Sequence, residues 1–474
     1  MPTTLLRDSR ALATLAVPLI LTQLAQVALT TTDTVMMGLL GTRELAAGGL
    51  AIVIFNQLRT MGVGLVTSVG NRVAAAAART EKAAATAGND RELASREARE
   101  EVRGIVRASM AVATLAGLVG AVLMVLIGQA LTWLGQDAAV VDRARTMLMA
   151  LAPGLLPCLW FQAIRQFTVG IRRPQALLQI TVASIAVNAG LNWVLIHGNF
   201  GLPRLGLTGI GVATSSVYFL SFLALYAAAR RDSELGPLLT LNFTKSDPAT
   251  VKRLIGLGIP IAATYGSEAG FFSITALMAG SFGPAALAAH TAVNQLVYIV
   301  FQVAVGLSHA ASINVSRELA LGRHEDARRI KNTALACAAA VMSVVGVLYL
   351  TLPQLVLEPF LDSGSADSGR ALTIATQLLT VTAFLQFFDC AQNIGVGLLR
   401  GLDDTRSGFR ITLIGYWAVG LPASWLLAYP LGLETPGIWL GLLTGLATTA
   451  VLLLRRYSGA LSTHAGHHGA VAEV

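Results

Sequence analysis

Three cysteines in 474 residues, Cys158, Cys337 and Cys390, each stand alone in or near an apolar run. An odd set without spacing builds neither a disulfide framework nor a thiolate metal site. Charge is scarce as well. Asp, Glu, Lys and Arg make up 13% of the chain, against about a quarter in an average soluble domain, so there is too little polar surface to solvate a globule of this length. No G-x-x-x-x-G-K-[ST] loop occurs, which removes a visible ATP site. No G-x-S-x-G or H-E-x-x-H arrangement occurs either, which removes the common hydrolase constellations. The formal net charge is +8, yet no zinc-finger spacing or aromatic RNA-binding motif accompanies it, and nucleic acid is not an expected partner.

What the chain has in quantity is apolar sequence: 54% hydrophobic residues and a mean hydropathy of +0.65. Runs long enough to cross a bilayer recur from end to end. They predict helices over roughly 11–37, 46–71, 104–128, 143–165, 175–197, 207–229, 252–279, 286–311, 332–352, 371–398, 410–429 and 436–454. In hydrocarbon the backbone must satisfy its own hydrogen bonds, and the alternation of a barrel strand is absent, so these runs are all-α. Arg7 and Arg10 precede the first run as in a signal peptide. That run continues past residue 30 through Pro18, Gln23, Gln26 and Asp33, and reads as an uncleaved first helix.

All but six of the 34 lysines and arginines fall in alternate connections between these runs. The six are Arg43, Arg143, Arg145, Arg204 and Arg370, on the other side, and Arg59, inside the second run. The positive-inside rule then places both termini in the cytoplasm of a prokaryotic plasma (inner) membrane protein, with the lipid bilayer as its surroundings. The most charged stretch, 79–103, mixes both signs with alanine and predicts a solvated helix-turn.

The chain also repeats itself at an offset of 242. Pro18 falls on Pro260, Gly38 on Gly280, Gly41 on Gly283, Leu45 on Leu287 and Gly64 on Gly306. A second echo pairs Gly209-Ile210 with Gly437-Ile438. Two bundles of six helices follow, over 1–240 and 241–474. Parallel repeats of this kind place a substrate between halves that alternate in access.

Three carboxylates lie well inside the runs: Asp33, Glu268 and Asp389. Each sits on a polar stripe at helical spacing. Gln23, Gln26 and Thr30 accompany Asp33; Tyr265 and Thr275 accompany Glu268; Thr382, Gln386 and Asn393 accompany Asp389. A charged side chain at mid-bilayer costs about 3 kcal/mol. Three acids with almost no intramembrane base therefore call for a cation, a proton or a cationic substrate. Carboxylate and amide oxygens suit hard cations, and a buried carboxyl can also carry a proton. All three are candidate coupling groups, and the exchange mechanism expected below takes Glu268 and Asp389, in the C-terminal half, as the candidate Na⁺ ligands. Arg59 either pairs with an acid or meets an anionic substrate group. Ser184, Asn188 and Asn192 share one face of the fifth run, and His290 and Asn294 one face of the eighth. These are candidate cavity-lining groups or interhelical glue.

The stretches TTDTVMMG in the first run, LAAH with N-Q after it in the eighth, and FFDCAQNIGVGLLRGLDDTR from the tenth resemble the multidrug and toxic compound extrusion (MATE) family in its NorM-like branch. NAGLNWVLIHGNFG and GLTGIGVATS add to the resemblance, which covers essentially the whole chain. It implies two six-helix bundles around a V-shaped cavity. It also implies export of organic, often cationic, compounds in exchange for Na⁺ or H⁺, with no cofactor. The branch ties acids of the first, seventh and tenth helices to cation coupling, which carries that role onto Asp33, Glu268 and Asp389. An aspartate that H⁺-linked members carry in the fifth helix is replaced here by Asn188 and Asn192, and Arg59 departs from the branch.

The expected function is a secondary antiporter for small organic cations or drugs, acting as a monomer and not as an enzyme. Two rivals are weighed against it. A lipid-linked oligosaccharide flippase would need a basic cavity. An intramembrane prenyltransferase would need paired aspartate-rich motifs, and Asp403-Asp404 stands alone in a basic connection.

Overall fold

The structure, a computed structural model, describes residues 2–472 apart from 87, 89, 136, 362, 363 and 365–367. Among the described residues there is no strand, and twelve long helices follow one another. They are α1 (Pro2–Leu40), α2 (Thr42–Thr86), α3 (Arg91–Ala130), α4 (Ala138–Gly170), α5 (Gln175–His197) and α6 (Leu207–Arg231), then α7 (Pro248–Gly280), α8 (Pro284–Ala320), α9 (His324–Thr351), α10 (Ser368–Gly401), α11 (Thr405–Ala428) and α12 (Glu434–Ala472). Each predicted apolar run falls on one of them, with 332–352 and 410–429 overrunning α9 and α11 by one residue.

Among the described residues, eleven of these helices are long and apolar enough to cross a membrane by length and composition. The exception is α7. It is helical over 33 residues, but Pro260, Tyr265, Ser267, Glu268 and Ser273 dilute its hydropathy. The helix that carries a candidate acid is thus the one least suited to lipid alone. At 45 residues, α2 is about 67 Å long, twice a bilayer core. Its excess and the start of α3 form the charged 79–103 stretch. Arg107 bonds Glu100 at 2.8 Å, and Arg96 bonds Glu92 at 2.7 Å, both exposed. Residues 87 and 89 of that stretch lie outside the described residues.

The chain forms two compact units, Leu21–Ala262 and Met1–Ile20 with Ala263–Val474. The chain passes between units inside α1 and inside α7, two residues after Pro18 and two after Pro260, which are equivalent positions of the 242-residue repeat. Within the first unit α2 packs on α3 and α4, α4 on α3 and α6, and α5 on α6. Within the second, α8 packs on α9 and α10, α10 on α9 and α12, and α11 on α12. The neighbour pattern is the same.

Backbone detail repeats as well. Gly41 ends the α1–α2 turn at φ +122° and Gly283 the α7–α8 turn at φ +108°. A side chain is strained in that region, which is why glycine recurs there. A Cβ on Gly170 would stand 2.7 Å from the Gly70 carbonyl, and one on Gly401 would stand 2.9 Å from the Ser312 carbonyl. Both contacts bind the fourth helix of a unit to its second. The α4–α5 turn sets Arg172 at φ 65°, and the α10–α11 turn sets Asp403 at φ 60°. The next residue's N–H closes each turn at 2.9 Å, Arg173 to Thr168 and Asp404 to Leu399. This is the Schellman pattern at a helix C-terminus.

Each turn is then pinned by an ion pair of opposite polarity, the first to the stretch just past α6 and the second to α12. Arg173 reaches Asp232 at 3.0 Å and Glu234 at 3.2 Å. In the second unit Asp404 accepts from Arg456 at 3.0 Å. The Asp232 carboxyl lies below its ordinary range. Burial would raise it, but N–H groups of Glu234 and Leu235 and the Arg173 guanidinium outweigh that.

Candidate functional site

The Asp33 side chain of α1 is 5% exposed. Asn188 and Asn192, one turn apart on α5, each donate through Nδ2 to its Oδ1, at 2.7 and 2.9 Å. Thr214 of α6 donates to Oδ2 at 3.0 Å. Three neutral donors hold this carboxylate, and no base pairs with it among the described residues. Spacing alone brought Asn188 and Asn192 to one face; it gave no sign of Thr214, which lies in the GLTGIGVATS stretch. The carbonyl oxygens of both asparagines are buried without a hydrogen-bond partner. Oxygen atoms left over beside a carboxylate are a cation's ligand chemistry.

Around this cluster stand other predicted residues of the same unit. Gln26 hydrogen-bonds Tyr218, whose ring also lies within the electrostatic reach of Arg59, Cys158 and Asp33. Arg59 is half-buried, its Nε 3.4 Å from Asn56 Oδ1. Thr30 turns its hydroxyl back onto the Gln26 carbonyl at 3.2 Å.

The second unit holds the other two acids. Glu268 on α7 accepts a hydrogen bond of 3.4 Å from the Tyr416 hydroxyl. Tyr416 is fixed by stacking on Phe271, with ring centroids 5.0 Å apart. It belongs to a π-helical stretch of α11, Ile414–Gly420. There the helix lies so close to α12 that a Cβ on Gly415 would meet Thr449. The widened turn presents Tyr416 to Glu268, and Trp417 to Ser267 at 2.7 Å. Such bulges occur often at functional sites. The run GYWAVG reads as ordinary apolar helix, and nothing in its residues signals the bulge.

Asp389 on α10 lies near enough for its charge to act on Glu268. Its carboxylate accepts from Asn393 Nδ2 at 3.2 Å. No lysine or arginine pairs with either acid among the described residues. Gln392 faces both Glu268 and Tyr416, yet its buried amide makes no hydrogen bond of good geometry. Beside Asp389 lies a cavity of about 10 Å³ bounded by Thr382, Gln386, Met342 and Tyr349, the size of one water-sized particle. Gln386 donates to the Met342 carbonyl at 2.9 Å. That fixes its amide, and its Oε1 is left buried without a partner.

The remaining predicted residues are placed apart from the acids' hydrogen bonds. His290 accepts at Nδ1 from the Trp439 indole at 3.0 Å. An indole N–H only donates, so that nitrogen is unprotonated and the ring is neutral. Asn294, one turn on, is half-buried. Thr275 is fully buried and bonds the Phe272 carbonyl at 2.8 Å. Tyr265 faces Arg400.

The MatE family model matches residues 18–89, 95–194 and 260–426. The chain belongs to the MATE family. A "Probable multidrug resistance protein NorM" of Pseudomonas aeruginosa is 35% identical over 446 residues, covering 94% of this chain and 88% of the relative. One of the same name from Bradyrhizobium diazoefficiens is 37% identical over 455 residues, covering 94% and 91%. Among solved structures, the eukaryotic MATE transporter AtDTX14 superimposes with a TM-score of 0.78 at 21% identity, covering 95% of both chains. An outward-facing multidrug resistance MATE family transporter does so with a TM-score of 0.83 at 16% identity, covering 97% of this chain and 98% of that one. This MATE chain is a multi-pass membrane transporter and not an enzyme. Both clusters described above fall within the matched segments, except Thr214.

Proposed function

We propose that this MATE protein is a secondary antiporter that exports organic cations, multidrug substrates among them, in exchange for Na⁺ or H⁺. The observation that carries the reading is the Glu268–Asp389 pair. Buried Asp389 and half-buried Glu268 share one neighbourhood with few donors and, among the described residues, no paired lysine or arginine, and an ion-sized cavity with an unpartnered amide oxygen lies beside Asp389. Like charges so placed are stable only with a proton or a cation between or beside them. Carboxylate and amide oxygens accept either.

In this reading a cation from outside binds Glu268 and Asp389 and favours the outward-facing form, which releases the substrate cation. Asp33 with Asn188, Asn192 and Thr214 forms a second oxygen-lined site. The repeats 1–240 and 241–474 supply the two halves, both termini face the cytoplasm of a bacterial inner membrane, and the transporter works as a monomer. The names of the bacterial relatives and the distribution of lysine and arginine support this setting. Where the exchange moves one net charge inward, 100 mV contributes about 2.3 kcal/mol, roughly a fiftyfold concentration ratio; an electroneutral exchange draws on the chemical gradient alone.

The test is efflux of a fluorescent cationic dye from reconstituted vesicles, with a Na⁺ gradient and a pH gradient imposed separately. Efflux driven by one gradient and abolished in Asp389→Asn supports the reading and names the ion. Efflux under neither gradient overturns it.

A further inference from the structure

Arg400 stands in the last turn of α10 and yet is only 7% exposed. Several other arginines of the chain have acid partners: Arg173 with Asp232 and Glu234, Arg456 with Asp404, Arg329 with Asp326. Arg400 has none among the described residues. Its Nε donates to Ser312 at 3.3 Å, a terminal nitrogen donates to Ser308 at 3.5 Å, and the third partner is Tyr265. All three are hydroxyls. A guanidinium stays charged in proteins, and neutral hydroxyls leave its field uncancelled. An arginine serving only the α10 dipole would bond terminal carbonyls; this one reaches into the bundle, to α8 and α7.

Its position relative to the acids is specific. Asp389 and Arg400 are 11 residues apart on one helix, which puts them on the same face about 16.5 Å apart along the axis. The Cα–Cβ bond leans toward the helix N-terminus, so the guanidinium is carried back toward Asp389. Asn393 lies between the two groups. Its side-chain Nδ2 donates to Asp389, its backbone carbonyl accepts from Ser308 at 2.6 Å, and Arg400 donates to Ser308 at 3.5 Å. Tyr265, its other partner, lies one turn before Glu268 on α7. A polar track therefore runs inside the second unit from the acid pair to the basic end of α10, and Arg400 occupies its end.

We propose that Arg400 is an electrostatic plug for that track. It rejects cations that would otherwise pass from Glu268 and Asp389 through the unit's interior, so that a coupling cation moves only when substrate is exchanged. A fixed arginine excluding cations from a narrow polar path is an established selectivity device in membrane proteins. The proposal rests on the reading of Glu268 and Asp389 as the cation site, and it makes Arg400 a coupling residue that touches neither cation nor substrate.

The test measures Na⁺ and H⁺ entry into vesicles at an inside-negative potential with no substrate present, alongside gradient-driven dye efflux. Wild type and Arg400→Lys are expected to be tight. Arg400→Gln and Arg400→Met are expected to leak at least about tenfold faster, the scale on which one local charge alters ion access. Adding Asp389→Asn to Arg400→Gln is expected to stop the leak. Tight neutral variants overturn the plug, as does a leak equal in the lysine variant. So does a failure of both neutral variants to purify as monodisperse protein while the lysine variant does, since that marks a structural charge. If wild type couples dye efflux to a gradient and the neutral variants stay tight, the plug alone fails. If wild-type efflux follows neither gradient, the coupling reading fails with it.

Discussion

The two compact units share a backbone plan and differ in how they keep an acid. In Leu21–Ala262 a single carboxylate, Asp33, receives three donors at 2.7 to 3.0 Å. In the other unit two carboxylates receive one hydroxyl bond of 3.4 Å and one amide bond of 3.2 Å. The repeat does not place them alike: Gln26 corresponds to Glu268, and Asp33 to Thr275. A buried anion with its lone pairs satisfied is stable as it stands, whereas two under-bonded neighbours need a proton or a cation. The same scaffold thus holds one charge at rest and one pair in want of a partner. On the proposed reading, coupling falls chiefly to the pair.

The sharpest break between the units is expected in transport. Glu268→Gln or Asp389→Asn should weaken apparent cation affinity by about 3 kcal/mol, more than a hundredfold, read as the Na⁺ or pH dependence of dye efflux. Asp33→Asn should leave most of that dependence. The order reverses for stability. Asp33→Ala strands Asn188, Asn192 and Thr214, at about 1–3 kcal/mol for each buried group left unpaired. Thermal unfolding in detergent should show the loss, while Asp389→Asn relieves like-charge repulsion and should leave the transition unchanged or higher.

Where the units agree, their variants should agree too. Gly170→Ala and Gly401→Ala each force a methyl to within 3 Å of a backbone carbonyl, and each should destabilise by about 1–3 kcal/mol. A large inequality would mean that one helix contact yields more easily. Tyr416→Phe removes only the long hydroxyl bond to Glu268 and should change cation affinity by about fivefold. The smallest effect belongs to the reversed ion pairs. Because the folded Asp232 carboxyl is held low, its contribution is complete above the unfolded value near 3.8 and is lost as pH falls through the folded one. At neutral pH Asp232→Asn should cost less than about 1 kcal/mol, and the acid-range slope it removes is the readout.

Much of this comparison was legible in the residues themselves. Apolar runs marked every long helix, and the prolines and glycines of the repeat marked the turns where Gly41 and Gly283 take positive φ. The acids stood out because charge is costly in hydrocarbon. What stayed hidden depends on contacts between distant segments. Thr214 meets Asp33 across 181 residues. Tyr416 meets Glu268 only because a π turn, enforced by glycine-close packing on α12, rotates it inward. His290 shares a polar face with Asn294 in the sequence, but its partner Trp439 lies 149 residues away. Arg400 read as one more base in a connection, and its burial came from the serine face of α8.

The most direct measurement of the central claim is cation binding by purified protein, followed with labelled Na⁺ and, separately, as proton uptake on acidification. The account predicts that Glu268→Gln with Asp389→Asn abolishes binding while Asp33→Asn retains it. Binding retained in the double variant and lost in Asp33→Asn would contradict the account and move the coupling site to the other unit.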